Sequence, residues 1–244
     1  MADNVFVKNL ESLLHLADFT ETLDTVKLDA PPDLVPSELR KLHDDSDAAQ
    51  KKVGDSKGDW RTATLDRQSV AEELSSKAAE SLALLEGRGA SAEKIEDGRF
   101  YVRKLQGKRA SPKPVDDPAT PDVDESESTI SAAQTSNAAR IATFLEYLEW
   151  LEPQSEYAGV KAAGKTVTEM RTFGESVEAK HAASVTAVTE LSADRINRDK
   201  FFFDNDDSII NRAKRLKRLI GGAYGFDSPE YETANAFPFR TSNK

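Results

Sequence analysis

The stretch VKAAGKTVTEMRTFGESVEAKHAASVTAVTEL, residues 160–191, sets the fold class of this chain. Positions 160, 163, 167, 170, 174, 177, 181, 184, 188 and 191 advance by alternating threes and fours, and they hold Val160, Ala163, Val167, Met170, Gly174, Val177, His181, Ser184, Val188 and Leu191. That spacing returns to one face of an α-helix and describes a coiled-coil-like seam of small residues. Ala163, Gly174 and Ser184 leave room for close helix packing. Unbroken from Glu156 to Phe203, such a helix would span roughly 70 Å at about 1.5 Å per residue.

Upstream, a second long helix is expected from Ser37 to Gly87, with Ser37 as its cap. Trp60, Ala63, Val70, Leu74, Ala78, Leu82 and Leu85 form its seam, with Arg61, Asp66, Glu72 and Lys77 on the other face. Gly54 and Gly58 weaken it near Asp55 and Asp59, where a turn is expected to divide it. Shorter apolar helices are read from Val5, Leu10, Leu13, Leu14, Leu16 and Ala17, broken by Pro31, Pro32 and Pro36, and from Ile141, Phe144, Leu145, Leu148, Trp150 and Leu151, stopped at Pro153. A third element carries Ile95, Phe100, Val102 and Leu105 between Ser91 and Lys108. A last helix, capped by Asp207 or Ser208, is expected to end near Gly221 and Gly222.

Between Ser111 and Ser128 four prolines alternate with Asp116, Asp117, Asp122, Asp124, Glu125 and Glu127, a composition that cannot bury a core. The expected organisation is therefore a helical half at 1–110, an acidic proline-rich linker at 111–128, and a helical half at 129–244 with an aromatic tail. Both halves run short apolar helix, break, long helix, basic helix and then a Ser-Pro pair. Val102-Arg103-Lys104-Leu105-Gln106-Gly107 before Ser111-Pro112 parallels Leu216-Lys217-Arg218-Leu219-Ile220-Gly221 before Ser228-Pro229. The fold expected is all-α: an elongated helical bundle of two long helices, built as two pseudo-repeated three-helix halves.

Of the 244 residues, 38% are hydrophobic, 31% charged and only 7% aromatic, which suits long, narrow amphipathic helices. A formal net charge of −10 opposes nucleic acid and anionic membranes. The absence of cysteine excludes disulfides, thiolate metal sites and a cysteine nucleophile. No signal-peptide pattern opens the sequence and no apolar run reaches the ~18 residues of a membrane span, so a cytoplasmic location is expected.

Arg198-Asp199-Lys200-Phe201-Phe202-Phe203, the basic run Ala213 to Ile220, and Gly225-Phe226-Asp227-Ser228-Pro229-Glu230-Tyr231 resemble uncharacterised bacterial all-helical proteins. In those, an amphipathic basic helix enters a turn of the form Phe-Gly-x-x-Ser-Pro-x-Tyr, whose first two residues are inverted here. The resemblance covers about 35 residues and implies no catalytic residue or cofactor.

Candidate chemistry is sparse. Glu178 and His181 have the Glu-x-x-His spacing of a di-iron bundle, but neither His15 nor His43 supplies the second copy such a site needs. The carboxylates at 44–47 and 204–207 lack an EF-hand's glycine and terminal glutamate. Gly221 to Gly225 follows a helix and lacks the Gly-Lys-Ser/Thr ending of a phosphate loop. Arg212, Lys214, Arg215, Lys217 and Arg218 oppose Ile209, Ala213, Leu216 and Ile220, giving a basic amphipathic helix that pairs with acidic neighbours or meets an anionic surface. Phe237 and Phe239 flank Pro238 in a tail that folds back on the bundle or, left free, binds a partner. Arg212, Arg215, Arg218, Phe237 and Phe239 are the candidate interaction residues, and Glu178 and His181 the candidate metal ligands.

The function expected is non-enzymatic, through protein–protein interaction, self-association or a structural-subunit role. No cofactor and no nucleic-acid partner are expected. The alternatives are a metal-binding, ferritin-like bundle enzyme and a protein attached to a membrane surface.

Overall fold

Residues 3–107 and 136–241 are described by the computed structural model, and among them there are nine α-helices and no strand. They are α1 (Asp3–Glu21), α2 (Thr25–Leu28), α3 (Pro36–Ala71), α4 (Glu73–Gly87), α5 (Ala92–Leu105), α6 (Asn137–Leu151), α7 (Val167–Asp199), α8 (Ile209–Tyr224) and α9 (Pro229–Ala236). The protein is all-α, with two long helices as expected. Serine hydroxyls set four of the starts: Ser91, Ser136, Ser208 and Ser228 accept from the N–H of Lys94, Ala139, Asn211 and Tyr231, covering N–H groups that no helical carbonyl reaches. The expected linker, residues 111–128, lies outside the described residues.

Both long helices differ in extent from the sequence reading. α7 starts at Val167, so Val160 and Ala163 of the seam sit in turns before it. The cause is local. Gly159 and Gly164 take φ of 79° and 73°, and Thr166 with Glu169 forms a reciprocal capping box. Tyr157 ties the turns down by donating its hydroxyl to the Lys165 carbonyl at 2.6 Å. The helix ends at Asp199, where a π turn, Lys200–Asp204, carries Phe202 into the core.

α3 begins at Pro36 rather than under a Ser37 cap, because proline's missing N–H and fixed φ suit a first turn. It then runs unbroken through Gly54 and Gly58. Side chains on either side of Gly54 lock it to α7: Lys52 pairs with Asp194 at 2.9 Å, and Ser56 donates to the same carboxylate at 2.5 Å. The division falls instead at Glu72, where Arg140 of α6 donates to the Ala71 carbonyl at 3.0 Å.

The chain forms two compact units, residues 1–60 with 187–244 and residues 61–186. Each draws on both expected halves, so the units do not follow the boundaries at 110 and 129. The reason is the pairing of helices: α1, of the first half, packs on α8, and α6, of the second, packs on α4 and α5. The short apolar helix of each half thus docks on the basic helix of the other.

In the first unit Phe6, Leu10, Leu13 and Leu16 of α1 meet Ile209, Leu216 and Ile220 of α8 together with Phe202. In the second, Leu74, Leu82 and Leu85 of α4 and Ile95, Val102 and Leu105 of α5 enclose Phe144, Tyr147, Leu148 and Leu151 of α6. Met170, Gly174 and Val177 of α7 close that core, and a Cβ on Gly174 would lie 3.0 Å from Leu145 and 3.2 Å from Phe144. The small-residue seam therefore packs within the chain. Beyond Ser184 it continues through the buried Ala187, leaving Val188 exposed.

Candidate functional site

α1 carries Phe6, Asn9, Leu10, Leu13, Leu16 and Ala17 on one buried face, and Asn9 is the polar intruder among them. Its side-chain amide reaches one backbone residue twice. Nδ2 donates to the Arg240 carbonyl at 2.9 Å, and Oδ1 accepts from the Arg240 N–H at 2.8 Å. One turn on, Ser12 donates to the Pro238 carbonyl at 2.7 Å. From α8, Lys217 donates to the Phe237 carbonyl at 2.6 Å and the Asn235 carbonyl at 3.4 Å. The chain after α9 is thus held as an extended strap along α1 and α8, chiefly by its main chain.

The two rings of the strap provide the apolar contacts. Phe237 stacks on His15 with ring centroids 6.1 Å apart and an interplanar angle of 16°, and stands 6.2 Å from Phe19. Phe239 lies beneath the Lys217 ammonium, 5.1 Å from the ring centre. Both rings are half-buried against the first unit's core. Pro238 between them contributes no N–H that would be stranded. Burial lowers the pKa of Lys217 below its ordinary value, the mark of an ammonium partly withdrawn from water.

α8 does not end at Gly221 and Gly222 as expected but continues to Tyr224, with Gly225 at a φ of 105° as its cap. Gly221 is instead a contact point. A Cβ there would lie 2.6 Å from Phe226 and 3.0 Å from Tyr231, the residues through which the following turn folds back. Ser228 caps α9, and Phe226 and Tyr231 meet edge to face at 5.1 Å.

The basic residues of α8 have separate fates. Arg215 grips the Asp33 carboxylate with two nitrogens at 2.6 and 3.4 Å, and Arg212 donates to the Asp33 carbonyl at 3.0 Å and lies 3.6 Å from Asp207. These two cations are committed to the turn Pro32–Leu34 and to the start of α8. Arg218 is exposed and forms no ion pair among the described residues.

Glu178 is exposed on α7, and His181 is half-buried with Nδ1 shielded and without a partner. Nowhere among the described residues do three or more His, Cys, Asp or Glu side chains gather as metal ligands. Of the carboxylates at 44–47, Asp47 pairs with Lys51 at 2.6 Å and Asp44 with His43 at 2.9 Å. No helix of the described residues is long and apolar enough to cross a membrane.

Arg40 of the first unit is raised above its ordinary value by its bonds to Glu21 and then Asp18, and three further strongly perturbed groups belong to the framework of the second unit. Glu156 is held down to about 2, first by its bonds from Lys94 at 2.8 and 2.9 Å. Tyr147 is fully buried, its phenol pushed well above the ordinary range by desolvation, and it shares a 2.7 Å bond with Ser81. Tyr157 is raised to about 12 by the same cause.

Phe237 and Phe239 are legible in the sequence as a tail that can fold back, and Lys217 as a cation of the basic helix, whereas Asn9 and Ser12, which hold the same strap, carry no such mark. The signal Asn9 does carry is its place: it occupies an apolar-face position three residues after Phe6 and four before Leu13. No protein-family model, curated protein or solved structure matches the chain.

Proposed function

We propose that the protein is a non-enzymatic helical bundle that acts through protein–protein interaction, as a structural subunit or an adaptor. The observation that supports this reading is the groove of α1 and α8, which holds an extended peptide by its backbone. Asn9, Ser12 and Lys217 address carbonyls and an N–H, groups every peptide carries, and two aromatic contacts add selectivity. Main-chain bonds for affinity with side-chain contacts for specificity is a general mode of peptide recognition.

A fluorescent peptide spanning Asn235 to Thr241, titrated into the full chain carrying Phe237→Ala and Phe239→Ala, tests it. Saturable binding, weakened when the peptide's own phenylalanines are replaced by alanine, supports the reading, and no binding refutes it. The metal-enzyme alternative has one feature in its favour, the unpartnered Nδ1 of His181. Elemental analysis of the purified protein decides that alternative.

A further inference from the structure

The geometry points to the partner that this groove takes: the Phe237-Pro238-Phe239 segment of a second copy of the chain, exchanged for the resident one. This inference rests on the interaction reading above and names its partner. The groove reads main-chain groups from Asn235 to Arg240 and two rings flanking a proline, and a second copy presents that pattern in the same order.

The resident segment is held shallowly enough to leave. Phe237 and Phe239 are only half-buried, and Pro238, Arg240 and Thr241 are exposed. A hinge precedes it. Gly225 sits at a φ of 105°, open to glycine and strained for other residues, and the turn through Ser228 is short. A change of backbone angle at Gly225 carries α9 and the strap away as one element, and the groove of the second copy re-forms what is given up, the burial of Ala234 and the packing of Tyr231 on Gly221. Exchange of an identical element across a short hinge is a low-cost route to dimers. Within one chain the segment's effective concentration is on the order of millimolar, so exchange grows with protein concentration instead of dominating in dilute solution.

The chain has no cysteine, which makes a clean trap possible. Ser12 Oγ lies 2.7 Å from the Pro238 carbonyl. Full chains carrying Ser12→Cys alone and Pro238→Cys alone are mixed, concentrated and oxidised. A chain carrying both substitutions is the reference, and its closure within one molecule shows that the two positions can bond. Exchange predicts a disulfide-linked mixed dimer in excess of either same-variant dimer, increasing with concentration and suppressed by excess Asn235–Thr241 peptide. If the reference closes and no mixed dimer forms up to about millimolar protein, the exchange is overturned. The Asn235–Thr241 peptide titrated into the full chain with Phe237→Ala and Phe239→Ala separates the two ideas. Binding there without a mixed dimer leaves the interaction reading standing with a different partner, and absence of both overturns both.

Discussion

Cutting the chain between its two halves should not separate them. Each core is shared: among the described residues, the two buried clusters hold 26 side chains larger than alanine, 14 from before residue 111 and 12 from after residue 128. If half of each burial is made against the other piece, at about 2 kcal/mol per side chain the mutual burial is roughly 26 kcal/mol. Association costs up to about 15 kcal/mol, leaving a surplus of roughly 10 kcal/mol and a Kd below about 1 μM. The perturbation is a protease site placed after Pro121, cut to completion as judged on a denaturing gel. Gel filtration at micromolar concentration should then give one peak containing both fragments, with the circular dichroism of the uncut protein. Two separate helical fragments would refute the interlocked arrangement and restore the halves as independent domains.

Gly98→Ala should destabilise the second unit, since the new Cβ would run into the buried Leu82 side chain and stand 2.8 Å from Trp150. Overpacking of about 1–3 kcal/mol outweighs the ~1 kcal/mol gained in helix propensity; Gly54→Ala, with open space around it, should stabilise, and a denaturation midpoint read from tryptophan fluorescence compares them. Glu156 has a folded pKa depressed from 4.5 to about 2, so its contribution is present above about 4.5 and lost as pH falls toward 2; Glu156→Gln should flatten the acid limb of the stability curve within that window. The His181→Ala variant should match the parent in metal content by elemental analysis, and a loss of bound metal would revive the metal-bundle reading.

Where the determinants are local, the sequence displays them. Ser91, Ser208 and Ser228 stand immediately before their helices and cap them, and the apolar spacing of α1 and α6 marks their buried faces. The Thr166-x-x-Glu169 box was equally local, but the regular seam running through Val160 and Ala163 drew the helix start too early. Gly54 and Gly58 show the converse. Their low propensity argued for a turn, and the Asp194 bonds from residues more than a hundred positions away prevail. The pairing of α1 with α8 has no local signature, because any amphipathic helix in the chain offers a similar stripe. Asn9 is legible as an oddity on such a stripe, yet its purpose depends on Arg240, 231 positions distant.

α8 shows why a basic helix in an acidic protein need not be a membrane or nucleic-acid surface. Its apolar face, Ile209, Ala213, Leu216 and Ile220, is spent on the core with α1. Arg212 and Arg215 fix the Asp33 turn, and Lys217 fixes the strap, so three of its five cations bind this chain's own backbone or carboxylates. The exposed Arg215–Asp33 pair contributes little stability singly, about 0–1 kcal/mol, and the Arg212 and Lys217 bonds are part-buried. Their effect is positional: they orient the two segments that flank the α1 and α8 contact, and one of those segments is the occupant of the groove. The basic character that suggested an external anion is therefore largely used within the chain, on the Asp33 turn and the strap, and leaves Lys214 and Arg218 as its outward-facing charges.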